Sequence, residues 1–291
     1  KSANDLISKS APNYQYVAAR LLNMQLRKEV WGSGNQPTDF LVFIQRNVDN
    51  AIYDPSIQER WTGAEVDAFG KYINHGLDDQ FTYAGLQQLI DKYLVKNRST
   101  GEIYETPQFA YMAIAMCLFD TVDEVKRAYD CYSTFKINLP TPIMAGVRTN
   151  IRQFASCVLV DIDDNLDAIF GSLHAVGRYT ARRAGIGLNI GRMRPINSPI
   201  RGGEVIHTGL IPYLKNFESC VKSTSQNGLR GGSATVHLPF WHYEVEDIMV
   251  LKNNAGTDDN RVRKLDYSVQ FCKLFYDRLI ENQDITLFSP H

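Results

Sequence analysis

Phe154-Ala-Ser-Cys-Val-Leu-Val160, followed by Asp161-Ile-Asp-Asp-Asn165, a helical run to residue 183, and Gly185-Ile-Gly-Leu-Asn-Ile190, is the stretch on which the fold turns. The first segment reads as a strand. Leu166, Ile169, Leu173, Val176 and Thr180 then recur along one side of a helix over 165–183. Gly185 can terminate that helix, and 186–190 returns to the grammar of a strand. Strand, helix and strand in succession predict a crossover unit with parallel strands. The alternation continues, with strands expected at 236–238, 267–271 and 285–288 and helices near 210–221, 245–251 and 273–280. This part of the chain is α/β.

Upstream the pattern is mostly helical. Ser10 is a candidate N-cap and Pro12 stands in the first turn, ahead of Tyr14, Val17, Ala18, Leu21 and Met24 at helical spacing. That stripe is expected to pack. Trp31-Gly-Ser-Gly-Asn-Gln-Pro37 ends the helix, and Lys96-Asn-Arg-Ser-Thr-Gly101 lies between strand-like flanks and predicts a short hairpin. Residues 109–118 are apolar nearly all round, as in a buried helix. Thr121 and Glu124 have capping-box spacing before Val125, Ala128, Tyr129, Tyr132 and Phe135. A boundary follows near Leu139-Pro-Thr-Pro142, giving a helical region at 1–150 and an α/β region at 151–291.

The 31 Lys plus Arg balance 32 Asp plus Glu, which excludes a broadly basic nucleic-acid coat and a disordered tail. The longest apolar run, 109–119, falls well short of the ~20 residues that span a bilayer, and no signal-peptide pattern opens the chain. Neither nucleic acid nor membrane is therefore an expected partner, and the expected compartment is the cytoplasm. Cys117, Cys131, Cys157, Cys220 and Cys272 are not closely paired, so no disulfide framework or zinc ribbon is implied. The initial lysine and a strand-like segment at the very end make both termini read as cuts.

Between Arg182 and Arg230 eight basic side chains face two acidic ones, and nine of the 20 glycines fall between Gly185 and Gly232. Glycines allow close backbone approach and guanidinium groups grip phosphate oxygens, so the region suits a nucleotide, although turns and solvated arginines give the same composition. Gly185-Ile-Gly187 lacks the third glycine of a dinucleotide loop, and Lys222-Ser223 precedes Gly228 where a phosphate loop needs the opposite order. Cys157, in a strand, is a nucleophile, a redox partner or simple packing. His207 forms no short motif with it, and His237 and His242 lack the spacing of a metalloprotease helix, so no metal site is expected in this chain.

Several motifs together resemble the large, catalytic subunit of class I ribonucleotide reductase, in its bacterial and phage forms. They are Leu139-Pro-Thr-Pro-Ile-Met144, Arg152-Gln-Phe-Ala-Ser-Cys157, Arg183-Ala-Gly-Ile-Gly187, Ser198-Pro-Ile-Arg-Gly-Gly-Glu204, Gly228-Leu-Arg-Gly-Gly232 and Trp241-His-Tyr-Glu-Val-Glu246. The resemblance runs from Lys1 to His291 and implies a mainly helical N-terminal region, holding at most the end of an ATP cone, followed by the first part of a ten-stranded α/β barrel. Overall activity regulation through that cone is then in doubt. By motif position Cys157 resembles the first of two reducing cysteines; the second, the radical cysteine and the radical-transfer tyrosines would lie outside residues 1–291. Thr141, Ser156, Gly185 and Arg230 resemble substrate contacts, and Asp164, Leu166, Arg194 and Arg201 resemble the specificity-effector site, with Asp164 also a candidate cap for the following helix. Turn hydroxyls, a helix cap and surface arginines are the bland readings of the same residues.

The resemblance further implies that the chain holds no cofactor alone. A dNTP or ATP effector with magnesium would bind it, and a metal-radical cofactor would sit in a separate small subunit. Expected partners are a complementary large-subunit segment, a second large subunit packed around the helix at 165–183, the small subunit, and a thioredoxin or glutaredoxin-type reductant. A noncatalytic nucleotide-binding or assembly fragment is the alternative.

Overall fold

The computed structural model describes residues 2–32, 36–97, 99–152, 154–182, 184–224 and 232–291. They form two compact units, Lys1–Phe154 and Ala155–His291, each around its own apolar core.

The first unit is helical: α1 (Ser2–Asp5), α2 (Tyr14–Trp31), α3 (Phe40–Asp49), α4 (Ser56–Arg60), α5 (Gly63–Tyr72), α6 (Tyr83–Lys92), α7 (Pro107–Leu118), α8 (Val122–Ser133) and α9 (Thr141–Gly146). The first ten residues of α7 are all buried, as its continuous apolar surface requires. Thr121 opens α8 by accepting the Glu124 N–H, and Thr62 opens α5 with a complete capping box through Glu65. The predicted hairpin closes on a single antiparallel bridge, Lys96 with Ile103.

Of the expected packing stripe of α2 only Ala18 is buried. Tyr14, Val17, Leu21 and Met24 are exposed, while Ala18, Ala19, Asn23, Leu26 and Val30 face inward. Two alanines permit close approach to α6, and the polar Asn23 and Arg27 are drawn in by the buried Asp78, to which both donate hydrogen bonds. Ser10 does not cap this helix; Asn13 precedes its first turn without a side-chain bond.

Next to α9 lies a fully buried polar cluster. Arg148 is fully buried and grips Glu105 through Nε, at 2.8 Å, and through Nη2. It also donates to the carbonyls of Met144 (2.7 Å) and Tyr93 (3.1 Å). The Tyr53 hydroxyl and the Val95 N–H donate to the same carboxylate. Burial opposes the charge on Arg148, but Glu105 more than offsets it and holds the guanidinium firmly protonated.

The second unit is α/β. Strands β1 (Cys157–Asp161), β2 (Gly185–Asn189), β5 (Ala234–Pro239) and β6 (Asp266–Gln270) form a wholly parallel sheet in that order. Helices α10 (Leu166–Ala181), α11 (Ile211–Thr224) and α12 (Val245–Met249) contribute to the core on one face, and α13 (Lys273–Ile280) follows β6. The two-residue strands β3 (Pro199–Ile200) and β4 (Val205–Ile206) make a small antiparallel hairpin between β2 and α11. The parallel α/β arrangement is the one the alternation predicts, and a helical region followed by a partial parallel sheet is consistent with the start of the barrel that the resemblance implies. The strand expected at 285–288 is reduced to one bridge between Phe288 and His242, where the Phe288 ring stacks on Trp241 at 4.6 Å. Among the described residues no helix is long and apolar enough to cross a membrane.

Candidate functional site

Strand alternation gives the sheet two different faces. Val158, Val160, Ile186, Leu188, Ala234, Val236, Leu238, Tyr267 and Val269 point to the helix-covered core. The register places Cys157, Leu159 and Asp161 on the other face, beside Gly185, Gly187 and Asn189 of β2. Thr235, His237 and Pro239 of β5 and Asp266, Ser268 and Gln270 of β6 continue it. Parallel sheets are ordinarily covered on both faces. Among the described residues the second face contributes nothing to this core, and Leu159 is 83% exposed on it. A Cβ at Gly187 would lie 2.6 Å from Leu159 Cδ2 and 3.4 Å from His237 Nε2, so glycine is what lets these two side chains lie across β2.

Cys157 opens β1 at the amino end of this face, level with Gly185, and its thiol is exposed. The Gly185 N–H donates to the Ser156 carbonyl at 2.8 Å, which ties the two motifs together. β5 begins at the same end, where Ile186 N–H donates to the Ser233 carbonyl at 3.1 Å. Arg230 lies outside the described residues. Thr141 is the first residue of α9, half-buried, in the other unit.

The other cysteines differ in setting. Burial pushes the Cys117 thiol up to about 11, and Cys131 is half-buried on α8. Cys220 donates to the Leu173 carbonyl at 3.5 Å, and burial raises its pKa. Cys272 is exposed but follows the opposite end of β6, three strands from β1. At ~4.8 Å per strand that offset alone is about 14 Å, beyond the ~7 Å reach of a disulfide between Cα atoms.

The carboxyl end of the sheet is charged. Asp161 accepts from Asn189 Nδ2 at 2.8 Å and pairs with Arg192 at 2.9 Å, while Arg192 also reaches Asp163 at 2.8 Å. Asp164 accepts from the Arg194 backbone N–H at 3.0 Å and from Arg194 Nε at 2.5 Å, and His291 Nε2 stands 3.3 Å away. Asp164 and Arg194 are thus brought together. Asp164 does not cap the next helix, because its carboxylate is engaged by Arg194; Asn165 caps it instead, accepting from Ala168 N–H at 2.8 Å. Leu166 is the first, exposed residue of α10, and Arg201 is exposed in the β3–β4 hairpin at φ 52°, followed by Gly202 and Gly203 at positive φ. Asp161 lies four residues along β1 from Cys157, about 13 Å at ~3.3 Å per residue.

Asn189, Arg192, His237 and Glu244 did not emerge from the sequence as site residues. The signal for the first and third was present in the alternation: Gly185, Gly187, Asn189 and Thr235, His237, Pro239 interleave with apolar residues, which marks a strand whose second face is not core. Arg192 and Glu244 act across the chain and leave no local pattern.

Residues 155–291 match the family model of the ribonucleotide reductase barrel domain, and residues 79–152 that of the ribonucleotide reductase all-alpha domain. The ribonucleoside-diphosphate reductase 1 subunit alpha of Escherichia coli strain K12 is 51% identical over 296 residues. The corresponding subunit alpha is 51% identical in Haemophilus influenzae and 48% in enterobacteria phage T4. Each alignment takes in all of this chain and 39% of the relative's length.

Proposed function

Because the chain belongs to the ribonucleotide reductase family, with all-alpha and barrel-domain sequence in succession, we propose that it is the amino-terminal part of the catalytic large subunit of a ribonucleoside-diphosphate reductase. The observation that carries this reading is the exposed thiol of Cys157 at the edge of an uncovered, glycine-bearing sheet face, with the arginine and carboxylate groups gathered at the other end.

Cys157 is one of two thiols that reduce the substrate. As the 2′ hydroxyl departs as water, the pair gives up two electrons and two protons and closes to a disulfide. A metal-dependent radical held by a separate small subunit supplies the initiating oxidant. Thr141 and Ser156 orient phosphate and ribose, Gly185 permits close approach, and Arg230 reads the substrate from the segment between α11 and β5. The second thiol and the strands that cover Leu159 belong to sequence outside residues 1–291, on the same polypeptide or another, and a thioredoxin or glutaredoxin-type protein restores the thiols.

Asp164, Leu166, Arg194 and Arg201 hold a dNTP or ATP effector with magnesium. A second large subunit packs on α10: Phe170 is 52% exposed there, beside an apolar hollow of 620 Å³ that Leu173, Gly177 and Ala181 also line. Effector and substrate are coupled through the segment holding Arg230, and coupling requires contacts that differ between effector states. Arg230→Ala is expected to reduce the effector-dependent change in substrate preference by about tenfold, within the usual 1–3 kcal/mol of such coupling, and to leave the thermal midpoint unchanged. Relative reduction of the four ribonucleoside diphosphates under each effector measures it; unchanged preferences remove Arg230 from the role.

The function is tested on the natively purified protein, with every copurifying polypeptide identified and deoxyribonucleoside diphosphate measured as product. Product formation that requires the small subunit supports it. Nucleotide binding without reduction in the complete assembly would leave a binding fragment in place of a catalyst.

A further inference from the structure

The motif Trp241-His-Tyr-Glu-Val-Glu246 follows β5 at the carboxyl end of the sheet, and two of its buried side chains close on one loop, 193–210. Glu244 is 2% exposed. Its Oε2 accepts the Ile196 N–H at 2.9 Å, and its Oε1 accepts the Leu210 N–H at 3.1 Å, with Oε2 also 3.3 Å from the latter. One carboxylate therefore joins the two ends of the loop. His242 is fully buried; its Nδ1 accepts the Glu244 N–H at 3.1 Å, so the proton sits on Nε2, which donates to the Met193 carbonyl at 2.9 Å. Gly209, at φ +88°, is shaped to the same carboxylate, since a Cβ there would stand 2.7 Å from Glu244 Oε1. Above this base the loop pairs with itself, through Asn197 N–H to His207 O at 3.0 Å and His207 N–H to Ser198 O at 2.8 Å, and then forms the exposed β3–β4 hairpin with Arg201.

The geometry points to Glu244, seated by His242, as a positioning residue for a nucleoside triphosphate site: together with the His242 bond to Met193 it clasps the base of the 193–210 loop and so fixes where Arg194 and Arg201 stand. The inference rests on the effector reading of those two arginines. An ionised carboxylate suits the task because both of its oxygens accept, whereas an amide offers one acceptor and an alanine none. Losing it would orphan two backbone donors at the closure of the loop.

The test uses the complete large subunit, with dTTP and magnesium as the probe and with Glu244→Ala, Glu244→Gln and Gly209→Ala compared. The dissociation constant for dTTP is expected to rise about tenfold for Glu244→Ala and Gly209→Ala, and about threefold for Glu244→Gln, the loss being that of one or both acceptor bonds. Substrate turnover at saturating dTTP stays within about twofold, because the sheet end that bears Cys157 is untouched. Amide hydrogen exchange of Ile196 and Leu210 accelerates in the variants, while that of Val158 and Leu188 does not. Wild-type dTTP affinity and unchanged exchange in Glu244→Ala overturn the clasp, as does acceleration spread evenly through β1 and β2. Failure of the unsubstituted subunit to bind dTTP overturns the effector reading itself, and the clasp's role with it.

Discussion

Cys157→Ser removes sustained ribonucleotide reduction: with substrate, effector, small subunit and dithiothreitol present, deoxyribonucleotide formation falls by about a thousandfold or more, equivalent to about 4 kcal/mol of activation free energy. The substitution exchanges sulfur for oxygen at an exposed position on the uncovered face, where no core contact is lost, so stability changes by about 0.5 kcal/mol or less. Serine cannot supply the electrons that a thiol pair gives up, and the settings of the other described cysteines do not suit them to replace it. Cys117 belongs to the other unit with its thiol held protonated by burial, Cys220 is bound to the Leu173 carbonyl, and Cys272 follows the far end of β6. Cys272→Ser is the matched control, also exposed and expected to keep turnover within about twofold. Effector affinity is likewise expected to survive Cys157→Ser, since Asp164 and Arg194 lie at the opposite end of the sheet. Turnover above a tenth of wild type would remove the thiol from the reductive step.

The second large effect is on folding. Arg148→Met is expected to destabilise the helical unit by about 3–5 kcal/mol, because the Glu105 carboxylate remains buried with its charge unpaired. Burial alone does not make this pair stabilising; the asymmetry does. Glu105→Gln combined with Arg148→Met removes both charges and is expected to recover most of the loss, since a buried pair replaced by neutral groups of similar volume is often near neutral. Urea unfolding followed by tryptophan fluorescence separates the units, because Trp31 and Trp61 belong to the helical unit and Trp241 to the other. Equal midpoints for Arg148→Met and wild type would show the carboxylate to be compensated by Tyr53 and Val95 alone. Arg148 also donates to the Met144 carbonyl in α9, so the single variant is expected to loosen Thr141 and raise the substrate KM as well.

The α/β half was legible because its strands alternate. Ile186 and Leu188 between Gly185, Gly187 and Asn189 specify a strand, one face and the direction of the core, and α10 ended within two residues of its expected bounds. The β3–β4 hairpin was not legible: two-residue strands leave no period, and Arg201, Gly202 and Gly203 at positive φ break any local pattern. In α2 the spacing of Tyr14, Val17, Leu21 and Met24 identified a helix but not the side that finds a partner, because the buried Asp78 lies 55 residues from Asn23 in sequence. Position in a motif marked Cys157, and the resemblance marked Asp164 and Arg194, yet only the folded chain joins Asp164 to Arg194, across 30 residues, and gives the cap to Asn165. Glu244 was read as part of a likeness; its contacts with Ile196 and Leu210 are long-range and have no periodic signature.

The central claim is that the Cys157 thiol reduces a bound ribonucleotide in partnership with a thiol outside residues 1–291. A single turnover of ribonucleoside diphosphate by the complete reductase without external reductant, quenched by alkylation and mapped by mass spectrometry of the disulfide-linked peptides, measures this directly. The account predicts one turnover-dependent disulfide, joining the Cys157 peptide to a cysteine outside this segment, with Cys117, Cys131, Cys220 and Cys272 still alkylated as thiols. Cys157 recovered as an alkylated thiol after product has formed, or linked to one of those four, would contradict it.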